Sequence, residues 1–183
     1  MSLSIRGVGD VDGNAGLGVY LTTLALALVW ILLICLPPWL MAEGMVTLAQ
    51  IGYRTFSIIC HQIPERSWQI AGLPLAVCSR CTAIYVGAVL GLLLYPIIRQ
   101  TPLLIRLTHH SRRLLVLGLL PMLADVAFDL SGIRTNTFST RAITGGVAGV
   151  AISLYLLPSI LAIGAEWRQV RMINETGEDG NEQ

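Results

Sequence analysis

The chain has 183 residues, of which 54% are hydrophobic and only 13% are charged. An ordinary soluble domain carries about 25% charged residues, so this is the composition of a membrane protein. All twelve basic residues are arginine and the formal net charge is +1. The chain therefore has neither a lysine for Schiff-base chemistry nor the basic surface of a nucleic-acid-binding protein. We expect an integral membrane protein whose partner is the lipid bilayer and which binds no nucleic acid.

The N-terminal part predicts a flexible leader followed by one membrane span. Residues 1–16 are rich in glycine and short polar side chains, as unstructured segments are. The uncharged run from Leu17 to Cys35 is long enough to cross a hydrocarbon core of about 30 Å. A signal peptide is the alternative, but the run is longer than a signal-peptide core and lacks a clear small-residue cleavage pattern. We predict a first transmembrane helix that ends at Pro37 and Pro38, with Cys35 packed inside it.

The segment from Met45 to His61 allows two interpretations. Its polar side chains recur three or four residues apart and share one helical stripe, which consists of Thr47, Gln50, Arg54, Ser57 and His61. Such a helix lies in the membrane interface with the stripe toward water, or crosses the bilayer with the stripe toward other helices. Its length of about 26 Å is marginal for a crossing. The pattern slightly favours the buried, polar-faced helix.

A second strong span follows a loop from Ile63 to Val77. The residues from Cys78 to Ile98 predict a transmembrane helix, and Gly87-x-x-x-Gly91 within it would let another helix approach closely. The next segment holds basic residues and histidines without any acidic residue: Arg99, Arg106, His109, His110, Arg112 and Arg113. The positive-inside rule makes this segment the cytoplasmic loop, with solvated histidines.

Two further spans complete the predicted domain of residues 17–165. The first runs from Leu114 to Leu130, where Asp125 and Asp129, four residues apart, face the same way. A short turn leads to Arg141 and the last span, Ala142 to Gly164. Residues 166–183 form a charged tail, expected to be cytoplasmic and largely disordered. The sequence thus predicts an all-α integral membrane bundle of four or five transmembrane helices.

This topology places the unusual residues at one membrane face. If the arginine-rich loop is cytoplasmic, Cys78 and Cys81 begin their helix at the external face, and Asp125 and Asp129 end theirs there. Cys60 and His61 are external whether the chain has four spans or five. Buried carboxylates are usually paired with a cation, and we expect Arg54 or Arg141 to pair with Asp125. The groups would share one pocket in the external leaflet.

The cysteines and the neighbouring histidine suggest a metal site. Cys60, Cys78 and Cys81 could supply thiolates and His61 a fourth ligand, a donor set that suits zinc and leaves copper(I) open. A c-type haem is disfavoured because Thr82 follows Cys81. Two alternatives remain open: a redox-active Cys78 and Cys81 pair at a helix N-terminus near Arg80, and cysteines that are only packed or disulfide-bonded.

The same residues resemble a known family. The pattern runs Cys60-His61-Gln62-x-Pro64-x-Arg66-Ser67, then Leu73-Pro74-x-x-Val77-Cys78-x-Arg80-Cys81-Thr82-x-Ile84-Tyr85-x-Gly87, and later includes Asp125, Asp129, Asn136, Arg141, Thr144 and Gly145. Over about residues 50–150 it is similar to the small prokaryotic membrane proteins of domain of unknown function family 2085. Ala83 stands where glycine is expected. The resemblance implies a membrane fold and a set of functional positions, without a reaction.

The aspartates also allow several roles. Asp125 and Asp129 could act as general base and ligand, with Arg141 or Arg66 holding an anionic group such as a phosphate. They could instead relay protons or ions in a small transporter, or form a structural ion pair between helices. The remaining pocket candidates are Arg54, Gln62, Arg66, Arg80, Thr82, Tyr85, Asn136 and Thr144.

Two functional hypotheses follow from these observations. The first is a metal-dependent membrane enzyme, with zinc as the expected metal, that acts on a lipid-like or otherwise membrane-associated substrate. The catalytic residues would be Asp125, Asp129 and Arg141. The second is a membrane thiol-redox protein, small transporter or structural scaffold whose cysteines form a staple.

Overall fold

The computed structural model describes residues 14–98, 101, 111–133 and 135–179. The described chain consists mainly of helices: α1 (Asn14–Ala42), α2 (Val46–Ser57), α3 (Ser79–Ile98), α4 (Ser111–Leu130) and α5 (Phe138–Asp179). Between α2 and α3, a 3-10 turn covers Pro64–Arg66, and strands β1 (Gln69–Ile70) and β2 (Leu73–Pro74) form an antiparallel hairpin. The predicted all-α membrane bundle is confirmed.

Three of the described helices contain a stretch long and apolar enough to cross a membrane: Gly16–Ala42 in α1, Ser79–Ile98 in α3 and Phe138–Trp167 in α5. A fourth helix, α4, has 20 residues, as α3 does. It carries arginines at its start and aspartates near its end, which lowers its apolar content. Three of the predicted spans thus correspond to long apolar helices, and the predicted span Leu114–Leu130 coincides with α4, which is as long as α3 but less apolar.

The long helices alternate in direction along the bundle. The hydroxyl group of Tyr20, early in α1, donates a hydrogen bond to the carbonyl of Leu92, late in α3, over 3.1 Å. Further along α1, the ring of Trp30 meets the ring of Tyr85 edge-on, with 6.0 Å between centroids. Because Trp30 follows Tyr20 while Tyr85 precedes Leu92, α1 and α3 are antiparallel.

The direction of α4 follows from its contacts with α5. Gly118, early in α4, lies against Ala151, whereas Asp129, late in α4, pairs with Arg141 near the start of α5. These two helices are therefore antiparallel. The end of α1, the starts of α3 and α5 and the end of α4 come together, and we call this the thiol end of the bundle because Cys60, Cys78 and Cys81 lie there.

Helices α3 and α5 run parallel and pack so closely that the contact requires glycine. A Cβ atom added to Gly87 would collide with the carbonyl oxygen of Gly146, and one added to Gly149 would collide with that of Ile84. Helices in lipid have no hydrophobic driving force between them, so close backbone packing is a main source of their association. The predicted close approach at Gly87 is confirmed, with α5 as the partner.

The first span does not end at its prolines, as the sequence predicted, but continues through Pro37 and Pro38 to Ala42. Proline has no amide hydrogen, so Pro38 cannot bond to the carbonyl of Ile34 four residues earlier. That carbonyl instead accepts a hydrogen bond from the amide of Ala76 over 3.4 Å. The prolines thus leave an acceptor on α1 for the loop that leads into α3.

Helix α2 contradicts the prediction of a buried, polar-faced crossing helix. It has 12 residues, which is about 18 Å of helix and too short to cross the hydrocarbon core. Its buried residues are Ala49 and Phe56, whereas the polar stripe is exposed at Thr47, Gln50, Arg54 and Ser57. The prediction failed because the apolar and small residues, rather than the polar ones, face the bundle.

The packing of α2 fits the alternative of an interfacial helix. Gly52 sits on α1, where an added Cβ would come within 2.7 Å of the Cγ atom of Pro37. Leu48 and Ile51 are more than half exposed, at 55% and 57%. A short helix that exposes both an apolar and a polar face suits the boundary between lipid and water.

Other predictions differ from the structure or fall outside its described residues. The leader through residue 13, Arg134, and residues 99–100 and 102–110 of the basic loop, including His109 and His110, lie outside the described ranges. At the C-terminal end, α5 continues as a helix to Asp179, where the sequence predicted a disordered tail.

Replacing Gly149 with alanine tests the contact between α3 and α5. The added methyl group must displace the carbonyl of Ile84, and overpacking of this kind costs about 1–3 kcal/mol. We expect Gly149→Ala to lower the thermal unfolding midpoint in detergent, measured by circular dichroism. Gly18→Ala is the control, because Gly18 faces open space on α1 and alanine favours a helix. Equal midpoints for the two variants would contradict the close packing.

Candidate functional site

Three of the four cysteines meet at the thiol end. The Sγ atoms of Cys60, Cys78 and Cys81 all lie within 4.8 Å of one another, and none of the three forms a disulfide. Cys60 is 7% exposed, and the other two are half-buried against the same core, which includes Ile34 of α1 and Phe56 of α2. Cys78 and Cys81, which follow Cys60 by 18 and 21 positions, thus join it in one cluster, as the sequence predicted.

Main-chain contacts hold Cys60 beside the start of α3. The side-chain amide of Gln62 donates hydrogen bonds to the carbonyls of Tyr53 and Ala76, each over 2.7 Å. Gln62 has a left-handed backbone with φ of 50°, which turns the chain sharply just after Cys60. The hydroxyl of Tyr53 donates to the carbonyl of Pro74 over 2.6 Å. These three bonds fasten the end of α2 to the loop before Cys78.

Hydrogen bonding within the cluster favours the thiolate form of Cys78. The amide of Cys78 donates to the Sγ atom of Cys60 over 3.1 Å. Hydrogen bonding with the side chain of Cys81 is the main cause that lowers the pKa of Cys78 from its ordinary value near 9 to about 5, against the opposing effect of burial. Backbone hydrogen bonding with Cys81 and Arg80 lowers this pKa further. Thiolate is the form that binds metal ions.

The geometry of the three sulfur atoms fits a metal ion. Tetrahedral zinc with bonds of about 2.3 Å places its sulfur ligands about 3.8 Å apart, which is inside the 4.8 Å spread of the cluster. His61 is exposed and is not part of this group of ligand atoms, so its role as a fourth ligand stays a prediction. Cys35 packs against the same hydrophobic core but is likewise outside the group.

Two further candidates on α3, Thr82 and Tyr85, have structural contacts. The hydroxyl of Thr82 donates to the carbonyl of Cys78 over 3.1 Å, so it bonds to the backbone at the start of the helix. Tyr85 packs against the core that holds the thiols. Both residues therefore support the position of Cys78 and Cys81.

Asp125 pairs with Arg80, not with Arg54 or Arg141 as the sequence predicted. A guanidinium nitrogen of Arg80 lies 2.6 Å from a carboxylate oxygen of Asp125, and the aspartate side chain is only 11% exposed. The prediction failed because the periodicity of α4 shows which face carries Asp125 but does not show that Arg80 points toward it from α3. Arg54 is exposed on α2 and ion-pairs with neither aspartate.

Asp129 is the centre of a second set of contacts. One carboxylate oxygen accepts a hydrogen bond from the amide of Asn136 over 3.1 Å. The other lies 3.4 Å from a guanidinium nitrogen of Arg141 and 3.9 Å from one of Arg66. Thr144 is not part of this set, because its hydroxyl donates to the carbonyl of Thr140 over 2.7 Å.

The structure divides the predicted single pocket into two clusters at one end of the bundle. The thiols pack with residues of α1, α2 and the connecting loop, whereas Arg80 pairs with α4 and its carbonyl approaches Gly145 of α5. No hydrogen bond or ion pair among the described side chains joins a thiol to either aspartate. We call the second group, Arg66, Arg80, Asp125, Asp129, Asn136 and Arg141, the arginine cluster.

Sequence reasoning missed Ser79, the first residue of α3. Its side chain is fully buried, and its hydroxyl has no hydrogen-bond partner among the described residues. The signal that could have found Ser79 was its position in the sequence, directly between the candidates Cys78 and Arg80.

Comparison with known proteins assigns the chain to a family. Residues 60–155, which include every member of both clusters, match the family described as Predicted membrane protein (DUF2085). An uncharacterised protein of Methanocaldococcus jannaschii is 39% identical over 106 residues, which are 58% of this chain and 66% of that protein. Its match therefore covers just under two thirds of that relative.

A second relative supports the same assignment. An uncharacterised protein of Methanothermobacter thermautotrophicus is 33% identical over 99 residues, which are 54% of this chain and 85% of that protein. No solved structure matches the chain. The chain belongs to the DUF2085 family of predicted membrane proteins.

Proposed function

We propose that the protein binds a thiophilic metal ion, zinc or copper(I), through Cys60, Cys78 and Cys81 at one face of the membrane. The observation that carries the proposal is the meeting of three unoxidised sulfur atoms within 4.8 Å. Thiolates are soft ligands that select zinc and copper(I) over magnesium or calcium. The hydrogen bond from the Cys78 amide to Cys60 is the kind of outer-shell contact that orients a metal ligand.

The number of ligands separates the two metals. Zinc takes four ligands, so three thiolates leave one position for His61, water or a substrate, and an open position is typical of catalytic zinc. Three soft thiolates without a further ligand suit copper(I). Cys78 and Cys81 are only half-buried. A metal ion can therefore reach an anionic site of three thiolates from the protein surface.

A metal-dependent enzyme for a lipid-like or other membrane-associated substrate is the extended form of this proposal. A zinc ion held by the three thiolates would keep a fourth position for a substrate near the membrane boundary, which would suit such an enzyme. The proposed catalytic roles of Asp125, Asp129 and Arg141 have less support, because all three side chains are engaged in ion pairs. Metal binding at the thiols does not require a catalytic role for Asp125, Asp129 or Arg141.

Metal content of the purified protein tests the proposal. We expect about one zinc or copper ion per chain, measured by elemental analysis after purification in detergent under reducing, metal-replete conditions. Cys78→Ser should lose the metal, because two thiolates remain of three. Cys35→Ser is the matched control, since Cys35 packs on the same core without belonging to the ligand group.

Two outcomes would contradict metal binding. A wild-type protein without stoichiometric metal would remove the proposal, as would equal metal loss in Cys35→Ser and Cys78→Ser. The thiol-redox alternative, which the lowered pKa of Cys78 beside Cys81 favours, would then be supported if mass spectrometry finds a Cys78–Cys81 disulfide that reductant reverses.

The Gln62 side chain is expected to set the affinity of the site without touching the metal. Gln62→Leu removes both hydrogen bonds that hold the Cys60 loop, and the loss of outer-shell contacts typically weakens metal binding about 10- to 100-fold. Competition with a chromophoric chelator measures the affinity. Gln50→Leu, at an exposed position of α2, should leave the affinity unchanged. A wild-type affinity in Gln62→Leu would contradict this role.

The proposed topology places the thiol end outside and the basic loop, with the C-terminus, in the cytoplasm. The support is the positive-inside rule, since Arg112 and Arg113 lie at the opposite end of the bundle, where α4 begins. A membrane-impermeant thiol reagent should label Ile58→Cys on intact cells, because Ile58 is 85% exposed. Thr101→Cys, exposed near the other end, should be labelled only after lysis. Peptide mass spectrometry identifies the labelled site, and the reverse pattern would invert the topology.

A further inference from the structure

The arginine cluster has more buried hydrogen-bond donors than the described residues use. The Nε atoms of Arg80 and Arg141 and the Nδ2 atom of Asn136 are buried without a partner in the part of the chain that the structure describes, as is the hydroxyl of Ser79. A buried donor without an acceptor costs about 1–3 kcal/mol. Three such N–H groups at one end of the bundle leave hydrogen-bonding capacity for an acceptor beyond the described residues.

These donors come from three parts of the chain that meet around Asp129. The backbone amide of Asn136 and a guanidinium nitrogen of Arg141 contact its carboxylate directly, over 3.1 Å and 3.4 Å. Arg80 pairs with Asp125, four residues before Asp129 on α4, and Arg66 approaches Asp129 from the loop over 3.9 Å. Charge-assisted bonds of this type are usually about 2.7–2.9 Å long. The contacts of both Arg66 and Arg141 with Asp129 are therefore loose.

The charge of the cluster favours an anion. Its three guanidinium groups face two carboxylates among the described residues, which leaves an excess of one positive charge. Helices α3 and α5 both begin at this end, and each helix start carries a partial positive charge. Arg141 is the innermost cation, with its side chain 8% exposed, whereas Arg66 is 47% exposed at the rim.

We infer that the arginine cluster binds the phosphate group of a membrane lipid or of another phosphate ester. Guanidinium and amide N–H groups from residues that lie around the two aspartates suit an oxyanion such as phosphate, and arginine is the preferred side chain for binding phosphate. The cluster lies at the ends of membrane-crossing helices, which is the depth of lipid headgroups. Trp68 and Phe138 meet edge-on beside it, with ring centroids 4.4 Å apart, and aromatic side chains are enriched at this boundary.

Binding of phosphate compounds to detergent-purified protein tests the inference. The ligands are inorganic phosphate, a short-chain phosphatidic acid and, as the uncharged control, the matching short-chain diacylglycerol; calorimetry measures their affinity. We expect phosphatidic acid to bind and diacylglycerol to bind at least about tenfold more weakly. Equal affinity for inorganic phosphate and phosphatidic acid would identify the ligand as a free phosphate or soluble ester rather than a lipid.

Variants that change charge in opposite directions separate ligand binding from a structural role. Arg66→Gln and Asn136→Leu should each weaken phosphate binding by about tenfold or more. Asp129→Asn should tighten it, because this change removes the negative charge nearest Arg141. Arg54→Gln is the control, since it removes the same charge from an exposed arginine outside the cluster.

Three results would overturn the inference. They are no binding of either phosphate compound to the wild type, weaker binding in Asp129→Asn, and an equal effect of Arg54→Gln and Arg66→Gln. Phosphate binding should persist in Cys60→Ser, so that failure of the metal proposal and failure of this one are distinguishable.

Discussion

The backbone contact between α3 and α5 fixes the positions on which the rest of the molecule depends. The two helices are parallel, and glycines let their main chains touch, so the first turn of α3 lies beside Gly145, about two turns into α5. A Cβ atom on Gly145 would come within 2.7 Å of the carbonyl of Arg80, which leaves almost no freedom for one helix to slide along the other. Because Cys81 and Arg80 are on the first turn of α3, this one contact sets the position of both clusters.

The thiol cluster depends on main-chain acceptors more than on contacts between its own side chains. Gln62 bonds to two carbonyls, and Ala76 bonds to the carbonyl of Ile34 that Pro38 leaves free. Polar backbone groups near a membrane must find partners within the protein. The irregular loop between α2 and α3 meets this requirement by bonding to α1 and to the end of α2, and these bonds also hold Cys60 in place.

Much of the fold follows from the sequence, because apolar length and helical periodicity are local properties. They predicted the four long helices, although α1 continues past Cys35 to Ala42 and α5 continues past Gly164 to Asp179, and they placed Asp125 and Asp129 on one face. The partner of Asp125 and the burial of α2 could not be predicted in this way, because both depend on which helix lies beside which face. The division into two clusters was missed for the same reason. Neighbouring residues of a helix point about 100° apart, so Arg80 contacts α4 whereas Cys81 packs with the other thiols.

The adjacency of Arg80 and Cys81 has a thermodynamic consequence. A single peptide bond joins a residue of the thiol cluster to a residue of the arginine cluster, so a shift of that turn cannot be confined to one cluster. If a cation at the sulfur atoms changes the affinity for an anion at the guanidinium groups, linkage requires that the anion change the affinity for the cation by the same factor. The first turn of α3 would then carry a reciprocal signal between two sites of opposite charge preference.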